Sequence, residues 1–381
     1  MNEVLLNEIC ELIVDCPHST AYDEGKGYPL VRTPNIGKGR LIYSGIHRVC
    51  EEVYNQRNAR AVPKEDDLIF AREATAGNVA LIQKGEKVCL GQRTVLIRPN
   101  QKLVNPAFLT YFLLAPKQQY NLLCTANGAT VAHVNLPTIR NLKLELPELY
   151  IQHRIAIILS RYDSLIENYQ KQIKLLEESA QRLYKEWFID LRFPGHENTK
   201  IVDGVPEEWE KKKVGNLISK VLRTKQVSAN NYLNSGRFPV IDQSRNYIAG
   251  YTNDIDSLVE VTIPYIVFGD HTRVLKYVPF SFAKGADGTQ LIMSNDLERM
   301  PQSLFYNSLI EIDLSNYSYA RHFKYLKEES ILVPSKNIAE WYDKVVSQYL
   351  QSIQKSRDQI HHLSEARDRL LPKLMSGEIE V

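Results

Sequence analysis

The feature that most constrains this 381-residue chain is an internal repeat, each copy of which ends in a long amphipathic helix. Residues 147–188 match residues 334–375 at one constant offset of 187 positions. Pro147 falls on Pro334, and Arg182 falls on Arg369. A duplication of this kind predicts two equivalent units related by an approximate two-fold axis. Such a chain is well shaped to meet a partner of matching symmetry, for which duplex DNA is the obvious candidate.

Two heptad patterns predict the long helices. Apolar and aromatic residues in 151–190 alternate at steps of four and three, which is the seam of a coiled coil. Residues 337–373 repeat the pattern, although Ser356 and Arg367 weaken this seam and Pro372 is expected to end the helix. We expect the two helices to pair antiparallel; the alternative is that each covers its own domain. The predicted seam consists of Ile155, Leu159, Ile166, Ile173, Leu176 and Leu183 in the first helix and Val346, Ile353, Ile360, Leu363 and Leu370 in the second.

The remaining sequence predicts two mixed globular domains, so that the fold class is α+β with two α/β domains separated by an antiparallel coiled coil. The predicted blocks are domain 1 (1–150), helix 1 (151–190), domain 2 (191–336, with a connector at 191–206) and helix 2 with a tail (337–381). The two domains align through short strand-like segments and diverge between them. A shared frame with different loops is expected of two readers of different sequences.

Composition restricts the class of protein. Hydrophobic residues make up 44% and charged residues 24%, which is normal for globular domains with real cores. The net charge is only +2, so any nucleic-acid binding must come from local basic patches. The sequence has no run of eighteen apolar residues and no signal-peptide pattern, so no membrane contact is expected. Five cysteines without a Cys-x-x-Cys pair favour a reducing cytoplasm over a disulfide framework or a zinc site.

Glycine-rich polar loops in domain 1 suit contact with DNA. Glycines allow the backbone to approach a phosphate, which a lysine or arginine can neutralise. The forked groups of arginine and asparagine match guanine and adenine edges. The alternative is an ordinary solvated turn. The predicted DNA-binding residues are Arg32, Asn35, Lys38, Arg40, Arg72, Thr75 and Asn78.

Domain 2 carries similar loops after its strand-like segments. Asp270 and His271 invite interpretation as an acid/base pair, but adjacent residues after a strand point to opposite sides and no nucleophile is apparent. We therefore favour a loop-shaping Asp270 and a DNA-contacting His271. The pair His361 and His362 lacks a third ligand nearby and indicates an exposed helix face rather than a metal site. The predicted DNA-binding residues here are Gln243, Ser244, Arg245, Asn246, His271, Arg273 and Lys284.

Several catalytic motifs are absent from the sequence. It has no Gly-x-x-x-x-Gly-Lys-Ser/Thr loop and no Gly-x-Gly-x-x-Gly after a strand. The Asn/Asp-Pro-Pro-aromatic tetrapeptide of amino-methyltransferases is also absent. We therefore predict no catalytic, cofactor-binding or metal-binding residues in this chain.

The chain resembles the DNA-specificity (S) subunit of type I restriction-modification systems. The ending 370–379 (Leu-Leu-Pro-Lys-Leu-Met-Ser-Gly-Glu-Ile) is similar to the ending typical of that family. The segment 205–210 (Val-Pro-Glu-Glu-Trp-Glu) resembles its entry into a target-recognition domain, and 67–72 resembles its recurrent strand-and-loop motif. The duplicated layout of domain, helix, domain and helix covers essentially the whole chain.

The resemblance implies a non-catalytic subunit that reads a bipartite sequence in double-stranded DNA with one target-recognition domain per half-site. It implies that the helices act as a ruler and dock two methyltransferase subunits. We expect the helix pair to hold the domains about 50 Å apart, roughly one and a half turns of B-DNA. Motor-nuclease subunits would join for cleavage, and S-adenosylmethionine, ATP and Mg²⁺ would belong to these partners. The alternatives are a coiled-coil scaffold whose globular ends bind proteins and a nuclease in its own right.

Overall fold

The computed structural model describes residues 2–124, 133–221, 224–317 and 321–381. The chain forms two compact units, of which unit 1 comprises Met1–Asn168 with Ile360–Val381 and unit 2 comprises Tyr169–Gln359. Both boundaries fall within the long helices. Each unit therefore contains one globular domain together with a part of each helix.

Unit 1 is a mixed domain of short strands and helices. Its main sheet has the strand order β2-β8-β5-β6, a smaller sheet has the order β4-β3-β7, and β1 pairs with β9. The described elements are β1 (Asn2–Leu5), β2 (Cys10–Asp15), β3 (Tyr28–Val31), β4 (His47–Val49), α1 (Glu51–Arg57), β5 (Leu68–Ala71), β6 (Val79–Leu81), β7 (Cys89–Leu90), β8 (Thr94–Pro99), α2 (Pro106–Leu114), α3 (Pro116–Leu123), α4 (Leu136–Arg140), β9 (Lys143–Leu146) and the start of α5 (Leu149–Tyr184).

Unit 2 begins within α5, which passes at its end into a π-helical turn over Lys185–Ile189. Its sheets have the strand orders β14-β13-β18-β15 and β17-β16-β19, while β12 pairs with β20. The described elements are β10 (Ile201–Val202), β11 (Val205–Pro206), β12 (Glu210–Lys213), β13 (Phe238–Ile241), β14 (Gly250–Thr252), β15 (Leu258–Val259), β16 (Tyr265–Gly269), β17 (Leu275–Val278), β18 (Phe282–Lys284), β19 (Thr289–Ile292), α6 (Gln302–Ile310), α7 (His322–Glu328), β20 (Ser330–Val333) and α8 (Lys336–Ser376).

The duplication seen in the sequence is repeated in the topology. In unit 1, β3 pairs antiparallel with β4 and parallel with β7, and in unit 2, β13 pairs antiparallel with β14 and parallel with β18. The hairpin β5–β6, which also pairs with β8, has its counterpart in β16–β17 with β19. The α+β fold class with two long helices is therefore confirmed.

Both helices contribute to the core of each unit. In unit 1, Ile155 and Leu159 of α5 and Leu374 of α8 are buried in one apolar cluster with residues of the main sheet. In unit 2, Tyr184 of α5 and Tyr342 of α8 are buried in the corresponding cluster. The apolar stripe of each helix thus packs against both the other helix and a globular domain. The structure therefore combines the two predicted alternatives, helix pairing and coverage of a domain by the helix.

The predicted seam follows this division. Eight of its residues lie in or against the two clusters: Ile155, Leu159 and Leu370 in unit 1, and Ile173, Leu176, Leu183, Val346 and Ile353 in unit 2. Ile166 is buried, whereas Ile173, Leu176, Ile360 and Leu363 are half-buried. In each helix the first seam residues are buried, and the later ones, through Leu183 and Leu370, are half-buried.

The helices pair antiparallel within each unit. In unit 2, Arg357 Nη2 lies 3.1 Å from Glu177 Oε1, and the Tyr342 hydroxyl donates to the Ala180 carbonyl at 3.4 Å. Later residues of α5 thus meet earlier residues of α8. In unit 1, Arg367 Nη1 donates to Asp163 Oδ1 at 2.6 Å. The predicted antiparallel pairing is confirmed within both units.

Pro372 does not end the second helix, which corrects one prediction. The helix α8 continues through Pro372 to Ser376. Proline removes a single backbone donor and crowds the preceding turn. Because Pro372 lies in the penultimate turn of the helix, the lost hydrogen bond falls near an end where the ladder is already incomplete.

Arg367 does not weaken the seam, because it is part of a buried polar network. The Asp163 side chain is only 4% exposed, and it accepts hydrogen bonds from Arg367 and, at 2.5 Å, from the Tyr111 hydroxyl. The residues at the corresponding repeat positions of unit 2 are Leu350 and Ala180, which both lie in the apolar core. One position of the duplicated helix pair is thus ionic in unit 1 and apolar in unit 2.

This difference gives a test of the helix pairing. Asp163→Ala should destabilise the protein by about 3 kcal/mol, because it leaves the Arg367 guanidinium without its buried counter-charge. The double variant Asp163→Leu/Arg367→Ala reproduces the apolar pair of unit 2 and should lie within about 1 kcal/mol of the wild type. Urea unfolding followed by circular dichroism measures both. A double variant as unstable as the single one would contradict this account of the pair.

Candidate nucleic-acid interface

Three loops of unit 2 converge at the ends of neighbouring strands. They span residues 242–247 after β13, 270–274 after β16 and 285–288 after β18, and we call them loop cluster 2. The Gly285 amide donates to the Ile241 carbonyl at 2.8 Å, and the Asp270 amide donates to the Gly288 carbonyl at 2.7 Å. These backbone bonds connect the three loops to one another.

Gln243 links the loops through its side chain. Its Nε2 donates to the Asp287 carbonyl at 2.8 Å, and its Oε1 accepts from the His271 amide at 3.1 Å. The Thr272 hydroxyl donates to the Gln243 carbonyl at 2.6 Å. Both ends of the amide are therefore committed within the protein, so Gln243 shapes the cluster rather than presenting a free amide.

Four of the predicted residues lie exposed on loop cluster 2: Arg245, Asn246, His271 and Arg273. Arg273 also donates through Nη1 to the Leu314 carbonyl at 3.1 Å. Ser244 is half-buried, and its hydroxyl oxygen is enclosed without a hydrogen-bond partner in the described structure. Lys284 is half-buried at the end of β18. The cluster thus presents guanidinium, amide and imidazole groups together.

The structure does not support an acid/base pair at Asp270. Asp270 is buried, and its Oδ1 accepts from the Phe323 amide at 2.8 Å. Its backbone carbonyl accepts from the His322 amide at 2.9 Å, so Asp270 holds α7 against the cluster. His271 is exposed, whereas Asp270 is buried. The loop-shaping role expected for Asp270 fits these contacts.

Lys276 was not singled out in the sequence, where it is one lysine among many in a strand. It lies in β17 with a side chain only 3% exposed. Its Nζ donates to the carbonyls of Asp242 at 2.8 Å and Asn246 at 2.5 Å, and lies 3.8 Å from Asp242 Oδ1. Burial lowers the pKa of Lys276 to about 8, an effect that the Asp242 carboxylate partly opposes. Only the alternation of a strand, which turns this position inward, could have signalled it.

Two loops of unit 1 occupy the equivalent place. They span residues 32–46 after β3 and 72–78 after β5, and we call them loop cluster 1. The Thr75 hydroxyl donates to the Thr33 carbonyl at 2.8 Å, and Asn78 Nδ2 donates to the Ile36 carbonyl at 2.9 Å. Thr75 and Asn78 therefore connect the two loops and remain half-buried.

Two residues predicted to contact DNA in domain 1 are buried. Asn35 is 2% exposed and Arg72 is 8% exposed. Asn35 Oδ1 accepts from the Arg32 amide at 3.2 Å, which closes a tight turn. Arg72 donates to the Val134 carbonyl at 2.9 Å and to Asp15 Oδ2 at 3.0 Å. Their burial argues against direct contact, and we assign both a loop-shaping role.

The other basic residues of loop cluster 1 remain accessible. Lys38 is exposed, and Arg32 and Arg40 are half-buried. Arg32 Nη2 donates to the Gly45 carbonyl at 3.2 Å, while Arg40 Nε donates to Glu167 of α5 at 2.6 Å. Lys38 is thus the most accessible cation among the residues predicted here.

A matching glycine follows the parallel strand of each unit. The Gly91 amide donates to the Val31 carbonyl at 2.7 Å in unit 1, as the Gly285 amide does to Ile241 in unit 2. A Cβ atom would lie 2.7 Å from the Val31 oxygen at Gly91 and 2.5 Å from Asp242 Cβ at Gly285. Both positions therefore require glycine for the loop to leave the strand.

The described residues contain no group of three or more His, Cys, Asp or Glu side chains placed to hold a metal ion. No helix in the described part of the chain is both long and apolar enough to cross a membrane. His361 and His362 lie exposed on α8.

Two copies of one fold, each with a polar loop cluster at equivalent strand ends, define a duplicated recognition protein. Comparisons with known proteins point to type I restriction-modification specificity subunits. The family described as type I restriction modification DNA specificity domain matches residues 1–178. The type I restriction enzyme MjaIX specificity subunit of Methanocaldococcus jannaschii is 25% identical over 94% of this chain and 88% of its own length.

Two further relatives agree over nearly the full length. The putative type I restriction enzyme MjaX specificity subunit of the same organism is 26% identical over 99% of this chain and 93% of its own. The crystal structure of a type I restriction-modification S subunit from M. genitalium shares the fold with a TM-score of 0.59 at 16% identity, covering 98% of this chain and 95% of that one. The chain is thus similar over nearly its full length to specificity subunits of type I restriction-modification systems, and residues 1–178 match the model of their DNA specificity domain.

The buried Lys276 predicts a pH-dependent contribution to stability. Between about pH 8 and the ordinary lysine value of 10.5, the unfolded chain binds one proton more than the folded chain at this site. The unfolding free energy therefore rises with pH, by at most about 1.4 kcal/mol per pH unit. Lys276→Met removes this term, so the wild type should gain stability relative to the variant over this range. Urea unfolding monitored by tryptophan fluorescence at several pH values measures the difference, and parallel profiles would contradict the prediction.

Proposed function

We propose that this chain reads a bipartite sequence in double-stranded DNA, with one loop cluster for each half-site. The observation that carries the proposal is that equivalent strand ends in both units bear polar loops whose frame is shared while their residues differ. Thr75 and Asn78 connect the loops of cluster 1, whereas Gln243 connects those of cluster 2. One fold with two different reading surfaces suits a target of two unlike halves.

The exposed side chains suit the major groove. An arginine such as Arg245 can donate two hydrogen bonds to a guanine, and an asparagine such as Asn246 can pair with an adenine edge. Lys38 and Arg40 of cluster 1 suit phosphates, which fix register without reading sequence. Asn35, Arg72 and Gln243 hold the loops in shape and contribute to specificity indirectly.

The long helices suit the docking of two methyltransferase subunits. Large apolar side chains remain exposed along α5, namely Tyr150, Ile157, Leu165 and Leu175, and Trp341 is exposed on α8. A stripe of exposed apolar residues along a helix would suit contact with another protein. Motor-nuclease subunits would join this assembly for cleavage.

The chemistry belongs to the partner subunits in this proposal. S-adenosylmethionine would be bound by the methyltransferase subunits, and ATP and Mg²⁺ by the motor-nuclease subunits. This chain supplies recognition and assembly but no catalytic residue. Since its target is the DNA of the cell, we place the complex in the cytoplasm.

The reading role of cluster 2 predicts a half-site effect. Arg245→Ala/Asn246→Ala should remove discrimination in one half of the target, at a cost of about 1–3 kcal/mol for each lost base contact. The other half should be unaffected. Sequencing of methylated adenines in host DNA, with the variant assembled with its methyltransferase subunits, measures both halves at once.

A matched control is available at the other end of the same strand. Asn234→Ala/Arg237→Ala changes the same two residue types in the exposed segment that precedes β13. This control should leave the methylation pattern intact. An unchanged pattern with Arg245→Ala/Asn246→Ala, or an equal loss in both halves, would refute the reading role of these residues.

A phosphate contact by Lys38 predicts a change in salt dependence. Each neutralised phosphate contributes about −0.9 to the slope of log K against log salt concentration. Lys38→Ala should therefore reduce the magnitude of the slope by about 0.9, the contribution of one phosphate contact, without relaxing sequence preference. The exposed Lys102, which follows β8 outside the loop cluster, provides the control variant Lys102→Ala. Fluorescence anisotropy of the assembled complex on DNA at several salt concentrations measures the slope for each variant. Equal slopes for Lys38→Ala and Lys102→Ala would exclude the phosphate contact.

A further inference from the structure

Loop cluster 2 depends on a buried cation that the DNA would not touch. Lys276 Nζ donates to two backbone carbonyls of the turn that follows β13. One belongs to Asp242, where the turn begins, and the other to Asn246, near its end. A single ammonium group therefore closes the turn that carries Arg245 and Asn246. Without the Lys276 ammonium, the carbonyl oxygens of Asp242 and Asn246 would lose this donor beneath the exposed surface of the loop.

In unit 1 the corresponding loop is held to its neighbouring strand by backbone hydrogen bonds instead of a lysine. The registers Val267↔Lys276 and Ile69↔Ala80 make Ala80 the counterpart of Lys276 in the duplicated hairpins. There the backbone of the first loop approaches the strand directly, because the Gly39 amide donates to the Val79 carbonyl at 2.8 Å and the Leu81 amide donates to the Gly39 carbonyl at 3.2 Å. Alanine leaves room for this backbone bridge, whereas a lysine at that position spans the gap to a loop that stays further away.

We infer that Lys276 is the positioning residue that fixes the recognition loop of unit 2 and so determines how Arg245 and Asn246 are presented to DNA. This inference rests on the proposed function. The ammonium acts together with Gln243, which ties the same loop to its two neighbours through His271 and Asp287. These contacts hold the loop at Asp242, Gln243 and Asn246 and leave the side chains of Arg245 and Asn246 exposed.

The anchoring has a consequence for specificity. Loop 242–247 and Lys276 are separated in the sequence but belong to one recognition element. A loop of another sequence transferred onto this strand would retain its specificity only together with its own residue at position 276. Lys276 would act through the loop, without contact to the bases.

The test uses Lys276→Met in the full-length chain assembled with its methyltransferase subunits, read out as the pattern of methylated adenines. Methionine keeps most of the side-chain length but has no donor. In the half-site identified by Arg245→Ala/Asn246→Ala, discrimination should fall roughly tenfold or more per position, while the other half is unchanged. Lys276→Arg, which retains charged donors, should recover part of the loss. The exposed Lys211 on β12 gives the control Lys211→Met, which should behave as wild type.

The outcomes separate the inference from the function on which it rests. Full discrimination in both halves with Lys276→Met would overturn the positioning role, and so would an equal loss in both halves or a loss that Lys276→Arg does not relieve. If Lys276→Met does not assemble, Lys276→Gln is measured in the same way and by the same criteria. Failure of the proposed function would be distinct, because the wild-type complex itself would then show no sequence-dependent methylation.

Discussion

The structure depends on the sharing of two long helices between two hydrophobic cores. Neither globular domain buries its apolar residues alone, since Ile155 and Leu374 complete one core and Tyr184 and Tyr342 complete the other. The apolar stripe of each helix therefore has to pack against both the other helix and a globular domain. Along the predicted seam, the early residues of each helix are buried and the later ones are half-buried.

The duplicated helix pair is not chemically symmetric, and the difference has a physical use. A buried ion pair is a poor source of net stability, but it penalises any register that separates its two charges. Asp163 and Arg367 satisfy each other in only one alignment of α5 and α8, whereas Leu350 and Ala180 at the corresponding positions tolerate several. The Asp163–Arg367 pair thus specifies the alignment of α5 with α8, and the Leu350–Ala180 pair contributes buried apolar surface.

The sequence was most informative where structure follows from local periodicity. The heptad pattern predicted both helices and their pairing, and short apolar runs such as 68–71 predicted strands, because burial repeats at fixed spacing along these elements. Polar residues were harder to interpret. Asn35 and Arg72 have the chemistry of base readers but are buried, since residue type alone does not determine exposure. The roles of Lys276 and of the partner of Arg367 were missed because they arise from contacts across 30 and 204 positions of the chain.

Pro372 shows the same limit on a smaller scale. Proline is a strong local signal, yet α8 passes through it because the helix has only a few residues left and the surrounding side chains pack against unit 1. Local propensity was outweighed by tertiary packing at one point, while the overall length of the helix was still set by its apolar pattern.

The discontinuity of unit 1 bears on the order in which the chain can fold during synthesis. Unit 2 is a continuous stretch inserted between the two parts of unit 1. The first domain leaves the ribosome before unit 2, but Leu374 and Arg367, which complete its core and neutralise Asp163, are translated after unit 2. The inserted unit therefore has all its residues available before the unit that contains it in sequence, and the first domain has to persist with an uncovered helix face until the end of α8 has been made.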